Sequence, residues 1–370
     1  MQHAKLTLTL PWEDIDAEAQ KQIRKTLEMP ELARLVIMPD VHAGYDLCIG
    51  GVALLRGVVC PSFVGYDIGC GMCHVDTGKS LAELGLDTKK NREDLFALLQ
   101  QRIPAGLGKG RGRDGGARFR SACGDKALGE RVTALAAEQL GTLGSGNHFL
   151  ELGVNAAGRL GITVHSGSRR CGYDIAAFYM KKGRLLPLDS ALGQAYLADM
   201  QWALDFALEN RRRMLEAVFP ALGFTAAQGA ALVKSPAFIN ETHNHALIDA
   251  RDARRVLHRK GATPAEKGRV GVIPANQRDG VYITTGLGNE TYLSSASHGA
   301  GRKFSRKAAA KRGNTKELRR LMHGIVCRTD EAVLDEAPWA YKDIDVVLRA
   351  QAGVVVDIVD HFTPIIVLKG

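Results

Sequence analysis

Val64-Gly65-Tyr66-Asp67-Ile68-Gly69-Cys70-Gly71 sets a carboxylate and a thiol three residues apart, with glycines around them. A hard oxygen and a soft sulfur aimed at one point suit a transition metal such as zinc, manganese or iron, not an all-oxygen calcium or magnesium cage. The glycines let the backbone turn sharply enough for both side chains to converge. Two ligands do not fill a coordination sphere, so others must come from elsewhere. Histidines recur in unusual settings at Gly146-Asn147-His148, Val164-His165-Ser166, Thr242-His243-Asn244 and Ser297-His298-Gly299. Asp67 and Cys70 are therefore expected to anchor a metal centre over which those loops close. Loops drawn from residues 67 to 298 would knit the whole chain together. A single compact α+β domain over 1–370, with a central active-site cleft, is the expected fold.

Composition sets the outer limits. The chain has 370 residues, 45% hydrophobic and 24% charged, enough for a substantial core in an ordinary soluble protein. No apolar run approaches the roughly 18–20 residues that span a bilayer. The alternation Leu6-Thr-Leu-Thr-Leu10 reads as a strand, not a signal peptide. A cytoplasmic protein with no membrane partner is expected. Seven cysteines, an odd number, make no secreted disulfide framework. Cys70-Gly-Met-Cys73 matches C-x-x-C, but no second such pair follows to complete a zinc ribbon. On a strand the odd spacing points Cys70 and Cys73 to opposite faces, which makes Cys73 a packing residue. The net charge of +9 favours a polyanionic partner.

Along the chain, 13–27 reads as a helix and 35–38 as a buried strand running into Pro39-Asp40-Val41-His42-Ala43-Gly44. That segment is either a functional loop or a turn in which Asp40 caps an amide. A helix is predicted over 91–103 with Asn91 as N-cap, and a long one over 188–219 capped by Asp189 or Ser190. The latter carries Arg211-Arg212-Arg213, which cannot all face one way, so part of the run is expected on solvated surface. Residues 106–120 are glycine-rich and basic but lack the G-K-[ST] ending of a phosphate loop. They read as a mobile flap over nucleic acid or as a plain solvated loop. Eight lysines and arginines between Lys303 and Arg320, on a predicted helix, form the best candidate track for a phosphate backbone. Strands are predicted over 354–359 and 364–368, the second ending in Lys369, whose ammonium is expected inside the structure.

Taken in order, Met38-Pro-Asp-Val-His-Ala-Gly44, Gly65-Tyr-Asp-Ile-Gly-Cys-Gly71, Leu143-Gly-Ser-Gly-Asn-His-Phe-Leu-Glu151 and His165-Ser-Gly-Ser-Arg169 resemble the RtcB RNA ligases. So do His243-Asn244, His258-Arg-Lys-Gly-Ala-Thr263, His298-Gly-Ala-Gly-Arg302, Glu336-Ala-Pro-Trp-Ala-Tyr-Lys-Asp343 and Lys369-Gly370. The resemblance implies a manganese- and GTP-dependent ligase, expected to be a monomer. It would join RNA ending in a 3'-phosphate or 2',3'-cyclic phosphate to RNA with a 5'-hydroxyl. It implies that Asp67, Cys70, His148, His165 and His243 bind two manganese ions with the Cys70 thiolate shared, and that His298 takes GMP from GTP. Asn147, Phe149, Leu150, Glu151, Asn244, Pro274, Ala275, Asn276, Gln277, Val281, Gly299, Ala300, Gly301 and Lys369 would hold the guanylate. Arg169, Arg302 and Lys260 would face phosphates or RNA.

Three departures from the family pattern stand out. Pro274-Ala-Asn-Gln-Arg-Asp-Gly-Val281 replaces the usual Pro-Gly-Ser-Met-Gly loop, Ser297 replaces a cysteine before the nucleophile, and Gly69 replaces an asparagine before Cys70. Two other readings follow. One is an enzyme that caps 3'-phosphate ends with GMP but joins them poorly; the other is a non-catalytic, metal-stabilised RNA-binding protein. A metal-dependent hydrolase would fit the Asp/Cys/His set but leave the basic helix without a role.

Overall fold

The computed structural model describes residues 1–106 and 118–370, so most of the predicted basic flap lies outside the described residues. Apolar side chains at helical spacing build the helix Ala191–Val218, which opens with the Ser190 hydroxyl accepting from the Gly193 amide. Pro220 and left-handed Gly223 stop the continuation. Tyr196, Met200 and Ala203 pack into one apolar cluster, and Met214, Leu215 and Val218 into another. Burying each large apolar side chain contributes roughly 1.5–3 kcal/mol. The helix thus ties the two clusters together.

Two sheets meet beside this helix. In the larger, the order runs Val270–Pro274, Val281–Gly286, Val356–Lys369, Phe149–Val154, Arg159–Ser166, Gly71–Ser80, Ile239–Thr242. In the smaller it is Leu6–Leu8, Leu32–Tyr45, Leu47–Arg56, Asp252–Lys260, Asn244–Asp249. Ile239–Thr242 ends one order and Asn244–Asp249 the other, and His243 alone separates them in sequence. The seam between the sheets therefore passes through a predicted metal ligand. The fold is α+β, as the sequence implies.

Several local expectations change. The strands predicted over 354–359 and 364–368 merge into one, Val356–Lys369, which starts two residues later than expected; a register shift at Pro364 absorbs the residue that cannot donate to the ladder. The strand at 35–38 runs from Leu32 to Tyr45, and its pairing is irregular between Ile37 and His42, so Asp40 lies in a bulged strand and not in a turn. The basic segment is not one helix but two, Arg306–Arg312 and Thr315–Leu321, broken at Gly313 and restarted by the Asn314 cap. Thr88, not Asn91, caps the helix Lys89–Arg102. The first α-helix runs from Ala17 to Leu27 behind an Asp16 cap. Cys73 packs with Val75 and Leu150, as its spacing from Cys70 predicts. No helix among the described residues is long and apolar enough to cross a membrane.

Candidate active site

At the seam, five predicted ligands draw together. Cys70 Sγ lies 3.3 Å from both His148 Nε2 and His165 Nε2, and Asp67 Oδ2 lies 3.1 Å from His148 Nε2. The His243 ring centroid is 5.1 Å from that of His165, and the His243 amide donates to the Cys70 carbonyl. His148 Nδ1 sits 3.0 Å from the Leu143 carbonyl and His165 Nδ1 3.1 Å from that of Asn147. A carbonyl can only accept, so each Nδ1 carries the proton and each Nε2 turns its lone pair on the cluster. Burial holds His165 and His243 well below the usual imidazole range, keeping both neutral. Burial first, and Asp67 second, push the Cys70 thiol well above its ordinary value. Burial would raise Asp67 as well, but its neighbours, His148 foremost and Arg169 after it, outweigh this and leave it below normal.

These side chains face one another with lone pairs in excess of protons. Cys70, His148 and His165 offer ligand atoms all within 4.8 Å of one another, and all three are buried. A cation resolves the arrangement, and the mixed sulfur, nitrogen and oxygen set fits a transition ion.

The long helix positions this cluster. Arg211, wholly buried, donates to the carbonyls of Gly69 at 3.0 Å and Ser166 at 2.8 Å, and to Asn240 Oδ1. Its neighbour Asn210 accepts from the amides of Gly141 and Thr142 and donates to the Gly167 carbonyl. Arg212 and Arg213 pair with Glu209 at the surface, so the triple-arginine run divides as its spacing requires. Gly69 has φ 74°, and a Cβ there would lie 2.9 Å from Ala207 Cβ on the helix. Glycine and asparagine are the residues that enter this left-handed region most readily.

His298 adjoins the cluster, its ring centroid 4.7 Å from that of His243. Asp40, fully buried, accepts from His298 Nδ1 at 2.5 Å and from the His298 amide at 3.1 Å. In the neutral ring this bond fixes the proton on Nδ1 and leaves Nε2 with the lone pair. Ser297 is held in turn by Gln351, whose Oε1 accepts from the Ser297 amide and whose Nε2 donates to its hydroxyl at 2.5 Å.

A cavity of about 810 Å³ opens from His165 and His298. Asn147, Phe149, Glu151, Pro274, Ala275, Asn276, Gln277, Gly299, Ala300, Gly301, Arg302 and Lys369 line it. Glu151 is buried with its Oε1 unpartnered, and burial pushes its carboxyl well above the usual range. Within the divergent loop, Gln277 donates to the Glu336 carbonyl at 2.9 Å.

Other predicted contacts lie elsewhere. Leu150 points into the apolar core on the far face of its strand, and Val281 packs with Phe362 and Met72. Asn244 sits behind the cluster, donating to the Asp67 carbonyl and accepting from the Gly261 amide. Lys260 is turned inward: its buried ammonium donates to the carbonyls of Tyr45 and Ser62, which removes it from the phosphate contacts expected of it. Arg169 is held at φ 59° with its guanidinium against Gly144, on the Asp67 side.

The sequence pointed to no role for Glu336 or Tyr341, and for Asp40 to no more than an amide cap or a place in a functional loop, although each lies in a quoted motif. Glu336 is a buried hub that accepts from Arg302 at 2.8 Å, Arg306 at 2.6 Å, Lys369 at 3.0 Å and the Tyr341 hydroxyl.

Comparison with known proteins agrees with this geometry. The family model described as "tRNA-splicing ligase RtcB" matches residues 22–126 and 120–370. The chain is 32% identical to the RNA-splicing ligase RtcB of Escherichia coli K12, over 96% of this chain and 95% of that one. It is 30% identical to the tRNA-splicing ligase RtcB of Thermococcus kodakarensis, over 95% and 92%. The RNA-splicing ligase RtcB of Mycobacterium tuberculosis is 31% identical, over 89% and 95%.

Proposed function

The chain belongs to the RtcB family and is an RNA ligase, and from that premise we propose that it joins RNA 3'-phosphate or 2',3'-cyclic phosphate ends to 5'-hydroxyl ends, using GTP and manganese. Asp67, Cys70, His148, His165 and His243 would hold the manganese. When bound, such ions neutralise charge on phosphoryl oxygens and lower the pKa of a bound water.

The observation that carries this reading is the Asp40–His298 bond. With Nδ1–H committed to Asp40, His298 Nε2 presents a lone pair to the α-phosphate of GTP. The new P–N bond forms as the bond to the β-phosphate oxygen breaks, and pyrophosphate leaves. GMP then passes to the RNA 3'-phosphate, and the 5'-hydroxyl of the second strand displaces it. Dividing one difficult condensation into such steps lowers each barrier. Glu151 supports a guanine base here, since its unpartnered oxygen can accept from the ring's N–H donors beside Phe149. Lys369, Arg302 and Arg306 bring positive charge to the phosphate side, and Glu336 holds all three in place.

Incubation with GTP labelled at the α-phosphate and manganese tests the reading. An acid-labile protein–GMP adduct is expected; its absence would overturn a covalent route and leave the non-catalytic RNA-binding reading. A variant of this reading, resting on the altered loop around Gln277 that lines the cavity, is capping of 3'-phosphate ends with weak joining. Supplying and withholding the 5'-hydroxyl strand separates the two, because capping needs no partner.

A further inference from the structure

Three tyrosines outside the cavity form a stack that the proposed chemistry does not use. Tyr66 and Tyr173 lie nearly face to face, with ring centroids 4.9 Å apart and planes at 22°. Tyr45 adds to Tyr66 at 5.7 Å and 45°. Beyond Tyr173 the guanidinium of Arg170 continues the pile, 4.7 Å from the ring centroid. Tyr45 is 57% exposed and Tyr173 43%. Contiguous exposed aromatic surface of this kind marks a place where something binds.

Its position relates it to the cluster at the seam. Tyr66 immediately precedes Asp67, and Arg170 immediately follows Arg169. In both pairs one residue turns toward the metal-binding side chains and its neighbour turns out to the stack. The charge around the stack is basic on balance. Asp174 is shared by Arg131 and Arg170, and Asp46 by Lys25 and Arg184. Each carboxylate is buried beneath two more exposed cations, leaving a surplus positive charge at either end.

We propose that this stack is a platform for single-stranded RNA, an inference that rests on the RNA-ligase reading above. The strand whose terminal phosphate enters the metal-binding cluster lays unpaired bases against the aromatic pile, and its backbone meets the surplus arginine and lysine. Every base has a π-face, so recognition by stacking tolerates any sequence, and guanidinium planes stack bases as rings do. The closeness of Tyr66 and Tyr173 leaves no slot between them. Bases therefore add at the open ends, on Tyr45 and on the Arg170–Tyr173 side. Bases already stacked in a duplex gain little from either.

Binding of a short single-stranded RNA with a 3'-phosphate, and of the same sequence as a blunt duplex, is measured by anisotropy on the full chain at fixed salt. Tyr45→Ala/Tyr173→Ala is expected to weaken single-strand binding about a hundredfold, on the order of tenfold per ring. Tyr45→Phe/Tyr173→Phe should retain it. Full retention in Tyr45→Leu/Tyr173→Leu would overturn the platform and mark an apolar docking face for a protein instead. So would equal wild-type affinity for strand and duplex. Strands carrying an abasic sugar at successive positions give a reading that needs no mutation. Losses confined to positions near the 3' end support the platform, and indifference at every position overturns it. A wild-type chain that prefers the strand but takes no label from GTP loses the proposed function and keeps the platform; one that takes the label but ignores the rings does the reverse.

Discussion

Asp40 Oδ2 contacts both the Nδ1 and the backbone amide of His298, 258 positions away, so one buried carboxylate sets the ring and the main chain of the proposed nucleophile together. Asp40→Asn places an amide where a carboxylate accepts, and the imidazole loses its enforced tautomer. Labelling by GTP is expected to slow on the order of 10⁴-fold, as when a catalytic histidine loses its orienting aspartate. His298→Ala should abolish the label outright. Metal content, measured by elemental analysis, should stay near wild type in both; a label surviving in His298→Ala would move the nucleophile elsewhere.

Cys70→Ala removes the sulfur that lies 3.3 Å from two imidazoles. Bound manganese and ligation should fall together. Full metal occupancy in that variant would count against a shared thiolate.

Gly301 has φ 74°, and a Cβ on it would lie 2.1 Å from the Asp40 carbonyl oxygen. Gly301→Ala should cost at least about 1–2 kcal/mol from the left-handed backbone alone. The contact should also displace Asp40 from His298. A lowered urea midpoint with a matching loss of GTP labelling is expected, and an unchanged midpoint would contradict the close approach.

Burial would raise the Glu336 carboxyl, but Lys369, Arg306 and Arg302 outweigh it and hold the group at about 2. Lys369 moves the other way: its ammonium falls below normal because burial costs it more than a share of one carboxylate returns. For Glu336 the folded value lies below the unfolded one, so its stabilisation is complete above about pH 4.5 and fades as pH falls toward 2. The contribution is up to about 3 kcal/mol. Urea midpoints measured across that window should fall less steeply in Glu336→Gln than in wild type. The variant should be less stable than wild type at pH 7, by about 3–5 kcal/mol if the three cations are left without their anion.

The candidate metal cluster could be picked out because its chemistry is local. Asp67 and Cys70 share one turn, and each histidine sits among glycine or polar neighbours. The α+β class followed from the same need to gather distant loops. The supports were harder to see. Nothing near Arg211 announces that it is buried while Arg212 and Arg213 are not, since the difference lies in which carbonyls the folded chain brings to it. Asp40 read equally well as a cap because its partner is remote in sequence. Lys260 was misplaced because a family motif names a position, not the direction in which a flexible side chain turns.

The strand Val356–Lys369 lies late in the sequence but pairs with both Val281–Gly286 and Phe149–Val154, inside its sheet and not at an edge. A ribosome must therefore release residues 356–369 before neighbouring strands can close on each other. Until then those strands keep open edges that invite pairing with another nascent chain. Completion of the cavity lined by Phe149, Glu151 and Lys369 therefore waits on this strand, and translation that stalls before residue 356 leaves a polypeptide exposed to chaperones and proteases.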